Sequence, residues 1–290
     1  MKLRRAALLT IALAALTGVV FAQYRGDGGY GGYGGRRGYG GYRDREIDPA
    51  VDRRGVPNWE VDPNFKSDVF TFVRIRYSSW GRRYGWATDY PDSDLNFPFR
   101  LQQLTSMKVD PVPKVLELTD DELFDYPFIY LIEPGGLEFT DAEVAALRRY
   151  LLNGGFLMVD DFWGEEEWDN FHHEIKRVFP DREPLELPID HPIFHCVYDL
   201  KEKPQVPSIN AALRNRGTGM TSDRWTADAQ EPHFRALFDD KGRMMAIICH
   251  NTDLGDGWER EGEDEYYFRE FSEKKAYPMG INIVFYAMTN

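Results

Sequence analysis

The sequence predicts an α/β fold, a three-layer α/β/α sandwich around a mostly parallel sheet, and three observations predict it. Residues 128–132 and 156–159 are continuous apolar runs of strand length, the pattern of strands buried on both faces. The segments around them carry apolar residues every three or four positions, as on one face of a helix. Strands and helices then alternate along the chain, which favours right-handed crossover units and a sheet covered on both sides. The usual size of sheets sets the expectation at about five or six strands.

Residues 70–77 alternate strictly toward their end and read as the first strand. Residues 94–107 read as a helix, with Phe97, Leu101 and Leu104 on one face and Pro98 in the first turn, where a missing N–H costs nothing. Residues 115–118 form a short second strand, and 128–132 the next. Thr140 and Glu143 make a capping box that starts a helix lined by Val144, Leu147 and Leu151. Gly154-Gly155 stops it, and the strand 156–159 follows at once. Residues 165–179 give a further helix, with Trp168, Phe171, Ile175 and Val178 on one side and Pro180 as its stop. Residues 235–238 and 244–248 form a hairpin around Asp239-Asp240-Lys241-Gly242, and 278–288 close the chain as a helix with Ile281, Val284, Phe285 and Met288 inward.

Ahead of this domain the composition changes twice. Lys2, Arg4 and Arg5 precede a nearly unbroken apolar run, residues 6–20, and Val20-Phe21-Ala22 offers small residues two apart. That is the pattern of a cleaved secretion signal, too short for the roughly 20 residues of a bilayer crossing. The expected organisation is a signal peptide at 1–22, a disordered Gly/Tyr/Arg-rich tail and linker at 23–66, and one domain at 67–290. Glycines spaced by Tyr24, Tyr30, Tyr33, Tyr39 and Tyr42 carry a large ordering entropy and no apolar face to offset it. No later stretch is apolar for long enough to span a membrane. The expected location is periplasmic or extracellular.

The net charge is −13, unevenly placed. Residues 46–290 hold 27 Lys+Arg against 46 Asp+Glu, a net of −19. So acidic a domain repels phosphates and anionic lipid, which excludes nucleic acid as its expected partner. Cys196 and Cys249 are too few for a disulfide framework; two buried free thiols are expected, with a Cys196–Cys249 disulfide as the alternative.

In a mostly parallel sheet, ligands bind beyond the carboxyl ends of the strands. The loops at those ends, near residues 79, 133, 160 and 249, therefore supply the candidates, provided that the strands run side by side in one direction. Asp160 and Asp161 follow one strand; they suit acid/base work or a hard cation, and equally a helix cap. His250 suits a base or a metal ligand, and equally a structural hydrogen bond. Trp86, Asp89, Tyr90, Asp94, Asn96, Trp163, Asn251, Asp256 and Trp258 complete a candidate rim of carboxylates, amides and aromatic rings. No phosphate-cradling loop, dinucleotide fingerprint, serine elbow or His-Glu-x-x-His motif is present.

The stretches 72–77, 86–91, 94–96, 134–136 and 249–251, with Asp256 and Trp258, resemble the bacterial family called "domain of unknown function 4159". The resemblance covers roughly residues 69–290. It implies a class I glutamine amidotransferase-like architecture, with a flavodoxin-like sheet, and brings no reaction with it. Amidotransferases use a cysteine on a Gly-x-Cys-x-Gly turn; here the corresponding strand ends in Asp160-Asp161, and Cys249 has no flanking glycines. Glutamine-derived ammonia chemistry is therefore not expected.

The functional expectation is a non-catalytic ligand-binding or interaction domain of the cell envelope, for a glycan or other polar ligand, with an envelope polymer or an envelope protein as candidate partner. The alternative is a hydrolase of a carbohydrate or amide bond. No cofactor is expected beyond a divalent cation in that alternative.

Overall fold

The computed structural model describes residues 47–65, 68–80 and 85–290. The expected signal peptide and most of the expected tail lie outside the described residues. Seven strands form one sheet in the order β2-β1-β3-β4-β7-β6-β5. They are β1 (Val73–Arg76), β2 (Lys114–Glu117), β3 (Phe128–Ile132), β4 (Phe156–Asp160), β5 (Leu185–Glu186), β6 (His233–Phe238) and β7 (Met244–His250). Neighbours from β2 through β7 pair parallel; β6 and β5 add on antiparallel. The fold is thus α/β with a mostly parallel sheet. The strand count exceeds the expected five or six because β5 is two exposed residues with no periodicity to read.

Helices α1 (Asp92–Leu104), α2 (Asp141–Leu152), α3 (Gly164–Val178), α4 (Ile209–Arg214), α5 (Leu254–Glu259), α6 (Glu265–Tyr267) and α7 (Tyr277–Thr289) fill the connections. Alternate side chains of β3 feed two separate apolar clusters. Phe128, Tyr130 and Ile132 join Phe97 and Leu101 of α1, Leu254 and Trp258 of α5, and Ile281 and Val284 of α7. Ile129 and Leu131 join Leu147 and Leu151 of α2 and Phe171, Ile175 and Val178 of α3. This two-sided burial is why β3 and β4 read as unbroken apolar runs: every side chain of both strands is buried.

Local chemistry sets the boundaries. Thr140 Oγ1 accepts the Glu143 amide at 3.2 Å while Glu143 Oε2 accepts the Thr140 amide at 2.7 Å, the reciprocal box that opens α2. The closing helix begins earlier than its apolar spacing suggests. A π-helical stretch, Phe268–Ala276, runs between α6 and α7, and Pro278 stands just beyond it. A wider turn at that point fits a proline that lacks an N–H to give. Gly280 lets α7 close on α1 and α5, since a Cβ there would stand 2.6 Å from both Phe97 and Trp258.

Residues 47–65, placed by composition in the linker, make specific contacts with the domain. The Arg53 guanidinium donates to the Pro111 carbonyl at 2.6 Å. The Trp59 indole donates to the Val109 carbonyl at 2.7 Å, and its ring meets Phe99 at 5.8 Å. Among the described residues no helix is long and apolar enough to cross a membrane. Cys196 and Cys249 are free thiols, the first exposed and the second buried.

Candidate functional site

β1, β3, β4 and β7 are consecutive parallel neighbours, so their carboxyl ends open on one edge of the sheet. The chain leaves that edge through unusual turns. Asp89 after β1, Glu133 after β3, Asp161 after β4 and Asn251 after β7 all have left-handed backbones, with φ of 62°, 49°, 56° and 59°. Non-glycine residues rarely adopt this region, and such strain gathers at functional sites.

The loop from β1 to α1 is fixed by a buried clamp. Arg74 and Asp94 are both fully buried and paired at 2.5 Å. The Arg74 guanidinium also donates to the carbonyls of Trp86 at 2.9 Å and Thr88 at 2.8 Å, and to Ser93 Oγ at 2.9 Å. A planar cation with five donors suits this task, because it closes a loop on several acceptors at once. Asp89 is carried on that loop. The Asp94 carboxylate is thereby committed to the scaffold, as is Trp86, whose ring packs under Arg76 at 4.7 Å. Tyr90 donates its hydroxyl to the Ile47 carbonyl at 3.0 Å.

Carboxyl groups meet at the mouth. Asp160 ends β4 fully buried; Oδ2 accepts the Gly255 amide at 2.9 Å and the Tyr130 hydroxyl at 3.1 Å, while Oδ1 has no hydrogen-bond partner. Burial pushes its carboxyl up to about 8, against the pull of those two donors. Burial also raises Asp161 and Asp253 well above the usual carboxylate range, and neighbouring carboxylates, Glu133 on Asp161 and Asp161 on Asp253, raise them further. Glu133, buried and beside Asp89, is pushed up to about 7. Asp256 is raised to about 7 and Glu259 to about 10, in each case by burial first and by the Asp89 charge second. Burial raises Asp89 too, although Arg74 opposes it.

The Asp89, Asp256 and Glu259 carboxylates draw closest, with one oxygen from each lying within 4.8 Å of the others. Asp256 and Glu259 stand three residues apart on α5 and so share a face. Asp256 Oδ2 is anchored by the Ile209 amide at 2.6 Å and the Tyr267 hydroxyl at 3.0 Å. Arg260 covers the outer side, its Nε 2.7 Å from Glu259 and 3.3 Å from Asp256.

Other expected rim residues hold the framework. Asn96 donates to the Trp258 carbonyl at 2.8 Å and so ties α1 to α5. Trp258 is fully buried against Phe97, with ring centroids 4.3 Å apart. Trp163 is buried, and its indole donates to Asp161 Oδ1 at 3.0 Å. Asn251 accepts the Gly164 amide at 2.8 Å and donates to the carbonyls of Asp228 and Glu231, each at 2.9 Å. His250 lies on the other face of the sheet from Asp160. Its ring packs on Phe162 at 4.7 Å and Trp168 at 5.4 Å. Its nitrogens face Arg235 at 3.1 Å and the Gly164 carbonyl at 3.1 Å. Burial lowers it to about 3, which keeps it neutral. The structure therefore brings Asp89, Asp160, Asp161 and Asp256 to one mouth and leaves His250 out of it.

Glu133, Glu259 and Arg260 were not among the expected site residues. Glu259 had a signal, its three-residue spacing from Asp256, but that spacing has meaning only once residues 254–259 are known to be helical. Arg74 had none, because an arginine in an alternating strand reads as a solvent-facing position.

None of the curated proteins matches this chain. A family model described as "Domain of unknown function (DUF4159)" matches residues 71–288, from the start of the sheet almost to the end of the last helix. The chain belongs to the DUF4159 family.

Proposed function

We propose that this is an exported envelope protein whose domain binds a polar, donor-rich ligand, a glycan above all, without transforming it. One observation carries the reading: seven carboxyl groups, Asp89, Glu133, Asp160, Asp161, Asp253, Asp256 and Glu259, influence one another at one edge of the sheet. Among the described residues, Arg74, committed to Asp94, and Arg260 stand against them. Such a mouth repels phosphates and favours hydroxyl or ammonium donors. Trp225, 68 % exposed beside Arg224, which donates to the Trp163 carbonyl, offers a ring face for a sugar. Export rests on the basic, apolar and small-residue pattern of residues 1–22.

The strand order supports a flavodoxin-like, amidotransferase-like three-layer architecture. Its parallel part, β2-β1-β3-β4-β7, follows the 2-1-3-4-5 order of that class. In that order the chain reverses direction across the sheet between β1 and β3, where a ligand crevice opens. The Asp89 loop and Glu133 stand at that reversal.

A hydrolase is the second reading, favoured by three carboxyls poised near neutrality, Glu133 and Asp256 at about 7 and Asp160 at about 8. His250 has no place in it. Titration calorimetry of the full chain against neutral glycans, amino sugars and peptidoglycan fragments tests the binding reading. Saturable heat with unchanged ligand supports it. Release of shortened fragments would move the assignment to the hydrolase, and silence across the panel would overturn a glycan ligand.

A further inference from the structure

We propose that Asp89, Asp256 and Glu259 bind one hard divalent cation, of the calcium or magnesium class, within the acidic mouth. The inference rests on the reading of that mouth as a ligand site and names what occupies its tightest point.

The donor set is all oxygen. One carboxylate oxygen from each residue falls within 4.8 Å of the other two, close enough for a single ion to touch three. Hard cations choose carboxylate oxygens, whereas zinc and softer metals prefer imidazole and thiolate. The imidazole of His250 is on the opposite face of the sheet, in contact with Phe162 and Trp168.

A second observation is independent of the crowding of acids. Two oxygens here are sealed from solvent with no hydrogen-bond partner, Asp89 Oδ2 and Oδ1 of the fully buried Asp160, while Glu259 Oε2 has the Arg260 guanidinium beside it at 2.7 Å. Asp160 and Asp89 close on the same glycine. Asp160 Oδ2 takes the Gly255 amide at 2.9 Å, and Asp89 Oδ2 lies 2.6 Å from where a Gly255 Cβ would stand. A buried acceptor without a donor is costly, and native proteins satisfy nearly all of them. An ion between Asp89 and Glu259 would satisfy Asp89 Oδ2 directly, would take at Glu259 the place that Arg260 now holds, and through a bound water would suit Asp160.

The framework is set for the task. Asp256 is held by the Ile209 amide and the Tyr267 hydroxyl, and the Arg74 clamp fixes the loop that carries Asp89. Arg260 is the competing charge. Its side chain is 31 % exposed and already reaches Glu263 at 3.1 Å, so it can yield Glu259 to an ion and keep a partner.

The test is calorimetry and thermal unfolding of the full chain, first stripped with chelator, then titrated with calcium, magnesium and manganese chlorides. One saturable site is expected, with Kd in the region of 10⁻⁴ to 10⁻³ M for a site of this charge, and a Tm that climbs with ion concentration. Glu259→Gln should weaken binding at least ~10-fold. Asp256→Asn removes an anchor of the fold, so Glu259→Gln is the decisive variant. Arg260→Gln should tighten binding by removing the competitor. Absence of heat and of any Tm shift with all three ions, or equal affinity in Glu259→Gln, would overturn the site. Ion binding with no response to the glycan panel would leave the site standing and remove the glycan reading; the converse would do the reverse.

Discussion

Replacing Arg74 by methionine should be among the most damaging single changes in the domain, and its cost can be built from the contacts it loses. Asp94 would remain as a buried carboxylate with its 2.5 Å partner gone, and breaking a buried pair from one side costs about 3–5 kcal/mol. The carbonyls of Trp86 and Thr88 would each lose a donor. They are only part-buried, so together they add about 1 kcal/mol, the low end for an orphaned acceptor. The total, about 4–6 kcal/mol, corresponds to a Tm lower by roughly 10–20 °C in a domain of this size. Asp94→Leu alone should cost about 3–5 kcal/mol, since it strands the guanidinium. The double variant Arg74→Met/Asp94→Leu leaves neither charge buried alone, so it should be more stable than either single variant. Urea unfolding of the four proteins gives the coupling directly. If the double variant loses the sum of the two single losses, the pair is not acting as a unit and the clamp argument is wrong.

Stability of the ion-free protein should fall as pH rises from about 4 to about 8. Asp160 and Glu133 have folded values near 8 and 7, above the usual carboxylate range, so the folded state holds protons that the unfolded chain releases. Their contribution is fully present below pH 4 and lost through pH 7–8, and Asp160→Asn should flatten the Tm profile; a rising profile contradicts the burial that sets these values. Gly255→Ala places a methyl 2.6 Å from Asp89 Oδ2 and 2.8 Å from the Tyr130 hydroxyl. It should cost about 1–3 kcal/mol in chemical denaturation; a neutral result would mean that the two groups move apart freely. Thr140→Ala removes half of the capping box and should cost about 1 kcal/mol, read as a shifted urea midpoint with unchanged slope.

The mostly parallel sheet was legible because each element carried its own signal. The apolar run of β3 coincides with the strand, and the capping box and Gly154-Gly155 bracket α2 within a residue or two. The carboxyl edge was legible as a region, because strand polarity alone points to it. Its chemistry was not. Asp94, Asn96, Asn251 and Trp258 have the composition of a binding rim, yet Asp94 meets Arg74, Asn96 and Asn251 meet backbone groups, and Trp258 meets Phe97. Polar residues in loops serve buried hydrogen bonds as readily as ligands, and one sequence does not separate the two uses. Residues 254–259 held too many glycines, Gly255 and Gly257, to read as a helix. That helix forms because packing overrides propensity: Trp258 fills the core, and a side chain at Gly255 or Gly257 would strike its neighbours.

The left-handed turns at Asp89, Glu133, Asp161 and Asn251 have a consequence for how the domain responds to selection. Each residue holds a conformation that glycine adopts without penalty, at a cost of order 1–3 kcal/mol for side-chain-bearing residues, less for Asp and Asn and most for Glu. A laboratory lineage selected for heat tolerance alone should therefore drift toward glycine at these corners, Glu133 first, and shed its acids as it hardens. A lineage selected for ligand capture should keep them and seek robustness elsewhere, in the caps and the outer helices. Sequencing the survivors of both would reveal whether these corners serve endurance or recognition.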